Sequence, residues 1–331
     1  MKRFFTYSLH LMIFLLSLTL FSACDIHEWP EERKQQYGMF VLDFDFQTEL
    51  PLHKEVVLTR NGKQGSLPVH DVRYVVKAYR TDITEDVRTF VFTQPDVDKL
   101  DYTVHLQLPV GTYQFKAWTD FVDANSKDDK YYDTSEFSEI VLANKDNHVG
   151  SNDYRDAFRG YVTGVVTAEA NSNGTATILM ERPMGKFKFI ATDADVFTQT
   201  LQDKGMAIHL EDYKVVFRYN LFMPCAFNLE ADITADSWTG MSFVSQMFMN
   251  DDNEVELGYD YIFVEDAGTT MNISVEVYNK ENKLIASCSS VDVPVVRNKL
   301  TVVKGNFLTS KSSGGIHISP DYDGDFNIEI Y

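Results

Sequence analysis

Short runs in which apolar and polar residues alternate dominate the chain from Gly38 onward. In the first run, Phe40, Leu42, Phe44 and Phe46 alternate with mostly polar residues. Successive side chains of a strand point to opposite faces, so this run predicts a strand with one buried face.

Similar runs, each bounded by turn residues, follow along the rest of the chain. They predict strands near 56–59, 72–80, 87–93, 137–142, 161–167, 175–181, 187–191, 213–222, 255–264, 271–278, 283–290 and 299–308. Helical periodicity is confined to 152–159 and 195–204. Many short strands without long amphipathic helices favour an all-β fold of antiparallel β-sandwiches over an α/β sheet.

One pair of runs predicts a hairpin. Residues 102–108 and 112–118 both alternate, and Pro109-Val110-Gly111 between them is a short turn that contains glycine. Two alternating runs joined by such a turn are typical of antiparallel neighbours.

The length indicates two domains. At about 150 residues per domain, 331 residues suggest two bodies, each large enough to bury a core without disulfides. A second series of alternating runs begins after Arg182-Pro183-Met184-Gly185. We therefore predict an N-terminal β-sandwich at 38–182 and a C-terminal β-sandwich with a terminal strand at 183–331.

The first 23 residues have the features of a signal peptide. Lys2 and Arg3 precede an apolar stretch, and Ser22-Ala23-Cys24 places small residues directly before a cysteine. This arrangement resembles the lipobox of bacterial lipoproteins, in which the cysteine is lipidated and the chain is cut before it, here after Ala23. An uncleaved membrane helix is the alternative, because the stretch has about the length that spans a bilayer.

Residues 24–37 are acidic and then mixed in charge, and they contain little to bury. This composition predicts a lipidated tether that holds the body off the membrane. Removing 23 residues with two basic and no acidic side chains changes the net charge from −19 to −21 over the remaining 308 residues. Several acyl chains make such an anchor effectively permanent.

Charge and motifs exclude several classes of function. With 30 Lys and Arg against 49 Asp and Glu, the chain lacks the basic surface that a nucleic-acid partner requires. The acidic clusters at 123–128, 250–254 and 321–325 lack the spacing of a calcium-binding loop. The sequence has no nucleophile elbow, phosphate loop or zinc-binding helix motif. We predict a non-catalytic protein without a cofactor or a metal site.

Two cysteines remain once Cys24 is lipidated. Cys225 and Cys288 both lie in strand-like runs, and an exported protein meets oxidising conditions. A disulfide between them and a pair of buried free thiols are both compatible with the sequence.

Several motifs resemble the fimbrillin-related outer-membrane lipoproteins of Bacteroidetes. They are the lipobox at Cys24, Leu108-Pro109-Val110-Gly111-Thr112-Tyr113 followed by Ala117-Trp118, the segment 181–187 and the segment 293–308. Within that group the chain is most similar to FimB-type anchor or accessory proteins of type V fimbriae. The resemblance implies two transthyretin-like β-sandwich domains and a lipid-held surface subunit that terminates or tethers a filament. It also implies fimbrial or pilin-like subunits as partners, and no catalytic residues.

The end of the chain contains a candidate donor strand. Phe326, Ile328 and Ile330 alternate with polar residues after the break at 312–315. Such a strand adds to the sheet edge of a neighbouring subunit when its backbone finds unpaired partners there. Pairing of residues 325–331 within their own domain is the alternative, and it is the favoured one.

The sequence therefore favours a cell-surface lipoprotein that anchors or joins a fimbria-like filament through strand edges. A carbohydrate-binding lipoprotein of a glycan-uptake system is the alternative, with Trp29, Trp118 or Trp238 as a stacking platform for sugar rings. A third alternative is a stalk pilin that is matured by cleavage after a basic residue such as Arg60.

Overall fold

The computed structural model describes residues 36–46, 70–83, 86–95, 100–170, 172–203, 205, 209–250, 254–309 and 327–330. We call the residues up to 182 the first half and those from 183 the second half. No helix among the described residues is both long enough and apolar enough to cross a membrane.

Strands make up most of the described chain. Those of the first half are β1 (Tyr37–Phe46), β2 (His70–Arg80), β3 (Val87–Gln94), β4 (Tyr102–Pro109), β5 (Gly111–Asp123), β6 (Tyr132–Asp133), β7 (Ile140–Leu142), β8 (Phe158–Tyr161), β9 (Val166–Ala168) and β10 (Asn173–Glu181). Those of the second half are β11 (Met184–Ala191), β12 (Lys214–Tyr219), β13 (Phe222–Asn228), β14 (Ile233–Thr239), β15 (Ser242–Gln246), β16 (Phe248–Met249), β17 (Val255–Phe263), β18 (Thr269–Tyr278), β19 (Leu284–Val295), β20 (Leu300–Gly305) and β21 (Asn327–Ile330). The fold class predicted from the alternating runs, all-β, is confirmed.

The helical segments are short. One α-helix, α1 (Ala194–Asp203), lies at the predicted position between β11 and β12. Three-residue 3-10 helices lie at Lys145–Asn147, Asp153–Arg155 and Leu210–Asp212. The helix predicted at 152–159 is wrong, because only a 3-10 turn forms there before β8 begins.

The described strands form four sheets. An eight-stranded sheet has the order β3-β2-β5-β8-β10-β1-β4, with β9 paired to β5. A five-stranded sheet has the order β16-β17-β11-β20-β21, and a four-stranded sheet has the order β15-β12-β18-β19. The fourth, β14-β13-β7-β6, contains strands from both halves, and we call it the bridging sheet.

The core of the first half lies inside a single curved sheet. Phe40 of β1 contacts Tyr113 and Phe115 of β5, with ring centroids 5.5 and 5.2 Å apart, although β8 and β10 lie between β1 and β5. A flat sheet would hold β1 and β5 about 14 Å apart, at about 4.8 Å per strand. The sheet therefore curls over, and its two ends act as the two layers of a sandwich.

The predicted hairpin at Pro109–Gly111 is wrong. Among the described residues, β4 pairs with β1, whereas β5 pairs with β2, β8 and β9. The turn carries the chain from one end of the curved sheet to the layer that faces it. Turn residues alone do not distinguish such a crossing from a hairpin.

Both halves repeat one arrangement of strands. β1, the first strand of its half, is parallel to β10, and β11, the first strand of the second half, is parallel to β20. Each first strand also has an antiparallel neighbour on its other side, β4 in the first half and β17 in the second. These two parallel pairs depart from the antiparallel pairing predicted, and they arise because the first and last long strands of each half run side by side in the same direction.

The bridging sheet joins the halves directly. Residues Ile140 and Val141 of β7 pair with Phe227 and Ala226 of β13. The buried side chains of this part of the first half, Tyr132, Phe137, Ile140 and Leu142, belong to the hydrophobic core of the second half. Strands β6 and β7 therefore complete a layer of the second half.

Candidate functional site: the C-terminal strand and its sheet edge

The last described strand, β21, lies at one end of the five-stranded sheet. It runs antiparallel to β20, and the paired residues are Thr301 with Ile330, Val302 with Glu329, Val303 with Ile328, and Lys304 with Asn327. In the described part of the chain, β21 has a strand neighbour on this side alone.

Ile328 lies on the side of the sheet that faces the core. Directly opposite residues of an antiparallel pair share a face, and Val303, the partner of Ile328, is fully buried. Ile328 itself is 37% exposed, and among the described residues no strand lies beyond it on its outer side.

Strand β20, by contrast, is firmly held. Its other side pairs with β11 along six residues. The hydroxyl of Thr301, which is fully buried, donates to the carbonyl of Pro294 at 2.5 Å. β20 therefore offers a stable edge on which a strand of the right register adds.

The chain is fixed up to the start of the segment that leads to β21. The carboxylate of Asp193 accepts hydrogen bonds from the backbone N–H of Leu308 at 3.0 Å and from the N–H and hydroxyl of Thr309, both at 2.7 Å. Residues 310–326 lie outside the described residues. Seventeen residues therefore separate Thr309 from β21 in the sequence.

The other predicted site residues fall in two groups. Ala23, Cys24 and Phe326, together with the signal peptide and nearly all of the tether, lie outside the described residues. Cys225 lies buried in β13 and Cys288 half-buried in β19, and these strands belong to different sheets. Both are free thiols. Burial raises the pKa of the Cys225 thiol to about 12 and also raises the pKa of the Cys288 thiol.

The tryptophans considered as a sugar platform are not all accessible. Trp118 is fully buried, its ring packs edge-on against Tyr132 at 5.3 Å, and its indole N–H donates to Asp120 at 3.2 Å. Trp118 is therefore a core residue and offers no accessible surface on which a sugar ring could stack. Trp238 is half-buried with the ammonium of Lys145 5.4 Å from the ring centroid, and Trp29 lies outside the described residues.

A buried polar network between the halves was not predicted from the sequence. The carboxylate of Asp260 in β17 accepts hydrogen bonds from Arg155, from His148 at 2.7 Å and from the hydroxyl of Tyr219 at 2.5 Å. Burial alone would raise the pKa of Asp260, but Arg155, His148 and Tyr219 outweigh it and lower that pKa. Asp260 is therefore an anion that its partners stabilise inside the protein.

Another polar contact between the halves lies in the turn between β13 and β14, at the half-buried Asp232. Asp232 accepts from Arg159 of β8 through both carboxylate oxygens, at 2.8 and 3.0 Å, and from Arg297 at 2.9 Å. The sequence indicates this contact only through an acidic residue in a turn. Acidic residues are common in solvent-exposed turns, so this signal does not predict a contact.

Solved structures with a related arrangement come from Bacteroidetes, whereas none of the curated proteins matches this chain. The fimbrial anchor protein Mfa2 from Porphyromonas gingivalis is 12% identical, with a TM-score of 0.40 over 88% of this chain and 97% of its own. A suggested cell adhesion protein from Bacteroides eggerthii is 10% identical, with a TM-score of 0.47 over 89% of this chain and 95% of its own. A suggested polysaccharide-binding protein from Bacteroides thetaiotaomicron is 14% identical, with a TM-score of 0.42 over 76% and 80% of the two chains. The model of a family of unknown function, DUF6562, matches residues 38–331, and the chain belongs to that family.

Proposed function

We propose that this protein is a lipid-anchored surface protein of the outer membrane that anchors or joins a fimbria-like filament, without catalysis, through contacts between strand edges. The observation that carries the proposal is β21. It is a four-residue strand at the end of a sheet, paired on one side and joined to the body by a long segment.

The proposal assigns the two ends of the chain different tasks. The lipobox at Cys24 and the tether up to residue 37 hold the protein to the membrane, and the body begins at β1. The strand with Phe326, Ile328 and Ile330 contacts the partner subunit.

Exchange of β21 between subunits costs little free energy, because the contacts that are lost are replaced by equivalent ones. A strand that leaves its own β20 and pairs with the same edge of another subunit makes equivalent contacts there, which is the basis of domain swapping. A neighbouring fimbrial subunit with a longer open edge would gain further backbone hydrogen bonds. The balance between the two pairings therefore depends on the partner.

Truncation tests the strand. A chain that ends at residue 324 is expected to fold and to reach the membrane, but to lose most of its co-purification with filament subunits in mild detergent. Phe248→Asp is the matched control, because Phe248 lies on the opposite edge strand of the same sheet and is similarly exposed at 41%. Equal recovery of filament subunits with the truncated and full-length chains would contradict the strand's role.

Lipidation is tested separately. Labelled palmitate is expected to enter the full-length protein and not Cys24→Ser, and the mature N-terminus is expected at residue 24. Labelling of Cys24→Ser, or an intact N-terminus at Met1, would remove the lipid anchor from the proposal and leave the strand contact to be judged by the truncation.

Glycan binding is the competing function. The burial of Trp118 removes one of its three candidate platforms. A glycan array with the full-length mature protein separates the two functions, because specific binding that survives truncation after residue 324 would favour the glycan-uptake alternative.

A further inference from the structure

One of the polar contacts between the halves is made by the carboxylate of Asp232. Asp232 lies in the turn after β13, in the second half, and it accepts two hydrogen bonds from Arg159 of the first half. Its Oδ2 also accepts from Nη1 of Arg297, in the turn between β19 and β20. A single side chain thus joins an arginine from each half.

Each arginine is also bonded within its own half. Arg159 donates to Glu181 at 3.0 Å, and Arg297 donates to the carbonyl of Val264 at 3.0 Å. Both guanidinium groups are nearly buried, with side chains only 5% and 8% exposed. The two arginines are therefore held in place before they meet Asp232, which lowers the entropy cost of the contact.

The backbone at Asp232 is unusual for an aspartate. Its φ is 58°, in the left-handed region that glycine and asparagine adopt more readily. The turn alone would accept either of those residues. The two arginines, however, require a carboxylate. Asp232→Asn therefore removes the charge of the side chain while the backbone conformation of the turn is retained.

Other contacts cross the same boundary, among them a backbone hydrogen bond and a buried ion pair. Phe137, in the loop between β6 and β7, accepts a backbone hydrogen bond from Leu229 at 2.8 Å, next to the pairing of β7 with β13. Arg155 of the first half pairs with the buried Asp260 of the second. The boundary thus consists of ion pairs and a shared sheet, and it resembles the interior of one domain more than a hinge between two.

We propose that Asp232, with Arg159 and Arg297, locks the two halves into one cooperative unit, so that a perturbation inside one half is transmitted to the other. In the proposed function, the membrane holds the N-terminal end and a filament pulls on the C-terminal strand. Such a lock would transmit that force through the body without bending at the boundary. The lock does not depend on what the C-terminal strand binds.

The test follows hydrogen exchange by mass spectrometry in increasing urea, with the full mature chain. Leu106→Ala perturbs only the core of the first half, to which Leu106 belongs. With Asp232 intact, we expect the urea midpoint of peptides from β12 and β18 to fall as far as that of peptides from β2 and β5. With Asp232→Asn, we expect the midpoint of β12 and β18 to stay in place while that of β2 and β5 falls.

A matched control isolates the ion pair that crosses the boundary. Asp266 also pairs with Arg297 at 2.9 Å, but it is 86% exposed and belongs to the same half. Asp266→Asn is expected to leave the transmission intact. Val104→Ala, in the same core as Leu106, replaces Leu106→Ala if that variant does not fold.

Two results would overturn the proposal. If Leu106→Ala leaves the urea midpoint of β12 and β18 unchanged in the protein with Asp232, the halves unfold independently and no lock exists. If they still follow it in Asp232→Asn, other contacts across the boundary, such as the bridging sheet and the pair of Arg155 with Asp260, carry the coupling, and Asp232 is not the lock.

Discussion

The strands β8 and β21 occupy corresponding places in the two halves of the molecule. Each pairs antiparallel with the last long strand of its half, β8 with β10 and β21 with β20. The remaining neighbours of β10 and β20 also correspond, because each is parallel to the first strand of its half. The two places differ in how the chain fills them.

In the first half, a strand from the interior of the chain, β8, occupies this position. β8 has β10 on one side and β5 on the other, and Phe158 at its start is almost fully buried. In the second half, β21 occupies this place, and among the described residues it is paired on one side only, with Ile328 37% exposed. The same position in a sheet is thus part of the core in one half and an edge in the other.

The largest difference is expected at the buried end of β8. Phe158→Ala removes a ring that packs against Phe46 at 5.0 Å and lies beneath the guanidinium of Arg182. We expect a loss of about 3–5 kcal/mol in the free energy of unfolding, since burial and packing are both lost. Urea denaturation of the mature chain measures it.

Tyr161→Ala is the control within the same strand, because Tyr161 is 44% exposed. A loss there as large as that of Phe158→Ala would mean that the outer face of β8 holds the strand as strongly as the core side does.

A smaller effect is expected from Gly160→Ala. A Cβ atom at Gly160 would collide with the sulfur of Met180 and with the backbone carbonyl of Leu179, both in β10. Because a backbone atom cannot move aside as a flexible side chain does, we expect a loss of about 1–3 kcal/mol. Thermal unfolding of the mature chain measures it, and an unchanged midpoint would show that β8 and β10 are free to separate slightly.

At β21, the expected effect on stability is smaller again. Ile328→Ala removes a side chain that neighbours cover only in part, so we expect a loss of about 1 kcal/mol or less. The same urea titration measures it beside Phe158→Ala. A loss of several kcal/mol would show that β21 is as much a part of the core as β8 is, and would weaken the proposal that it exchanges.

The sequence predicted many of the strands in which one face is buried, although β15, whose burial also alternates, was missed. The alternation of Phe40, Leu42 and Phe44 matches β1, and the short helical pattern matches α1. In β13 and β14 the alternation is absent, because the register shifts twice between Pro224 and Phe227 and most of β14 is exposed. Those two strands were therefore not predicted.

The partners of each element were harder to predict than the elements. The alternation of Ile328 and Ile330 indicates a strand, but not that β20 is its neighbour. Arg159 and Asp232 are 73 residues apart, and their contact depends on how the two halves pack. Period-2 patterns state which face is buried and carry no information on which residues meet across a boundary.

The contrast between inner and edge strands extends to the two thiols. Cys225 lies in β13, which has a strand on each side, whereas Cys288 lies in β19 at the end of its sheet. The thiolate is the reactive form, and a pKa of about 12 leaves on the order of 1 in 10⁴ Cys225 thiols ionised at pH 8.

We expect iodoacetamide, without reductant, to modify Cys288 slowly and Cys225 more slowly still in the folded protein, and both at once in urea. Mass spectrometry of a chain that begins at residue 25 counts the adducts. Two adducts in urea indicate two free thiols, whereas no adduct indicates a disulfide. Faster reaction of Cys225 than of Cys288 would contradict the expectation that a thiol in an inner strand is better protected than one in an edge strand.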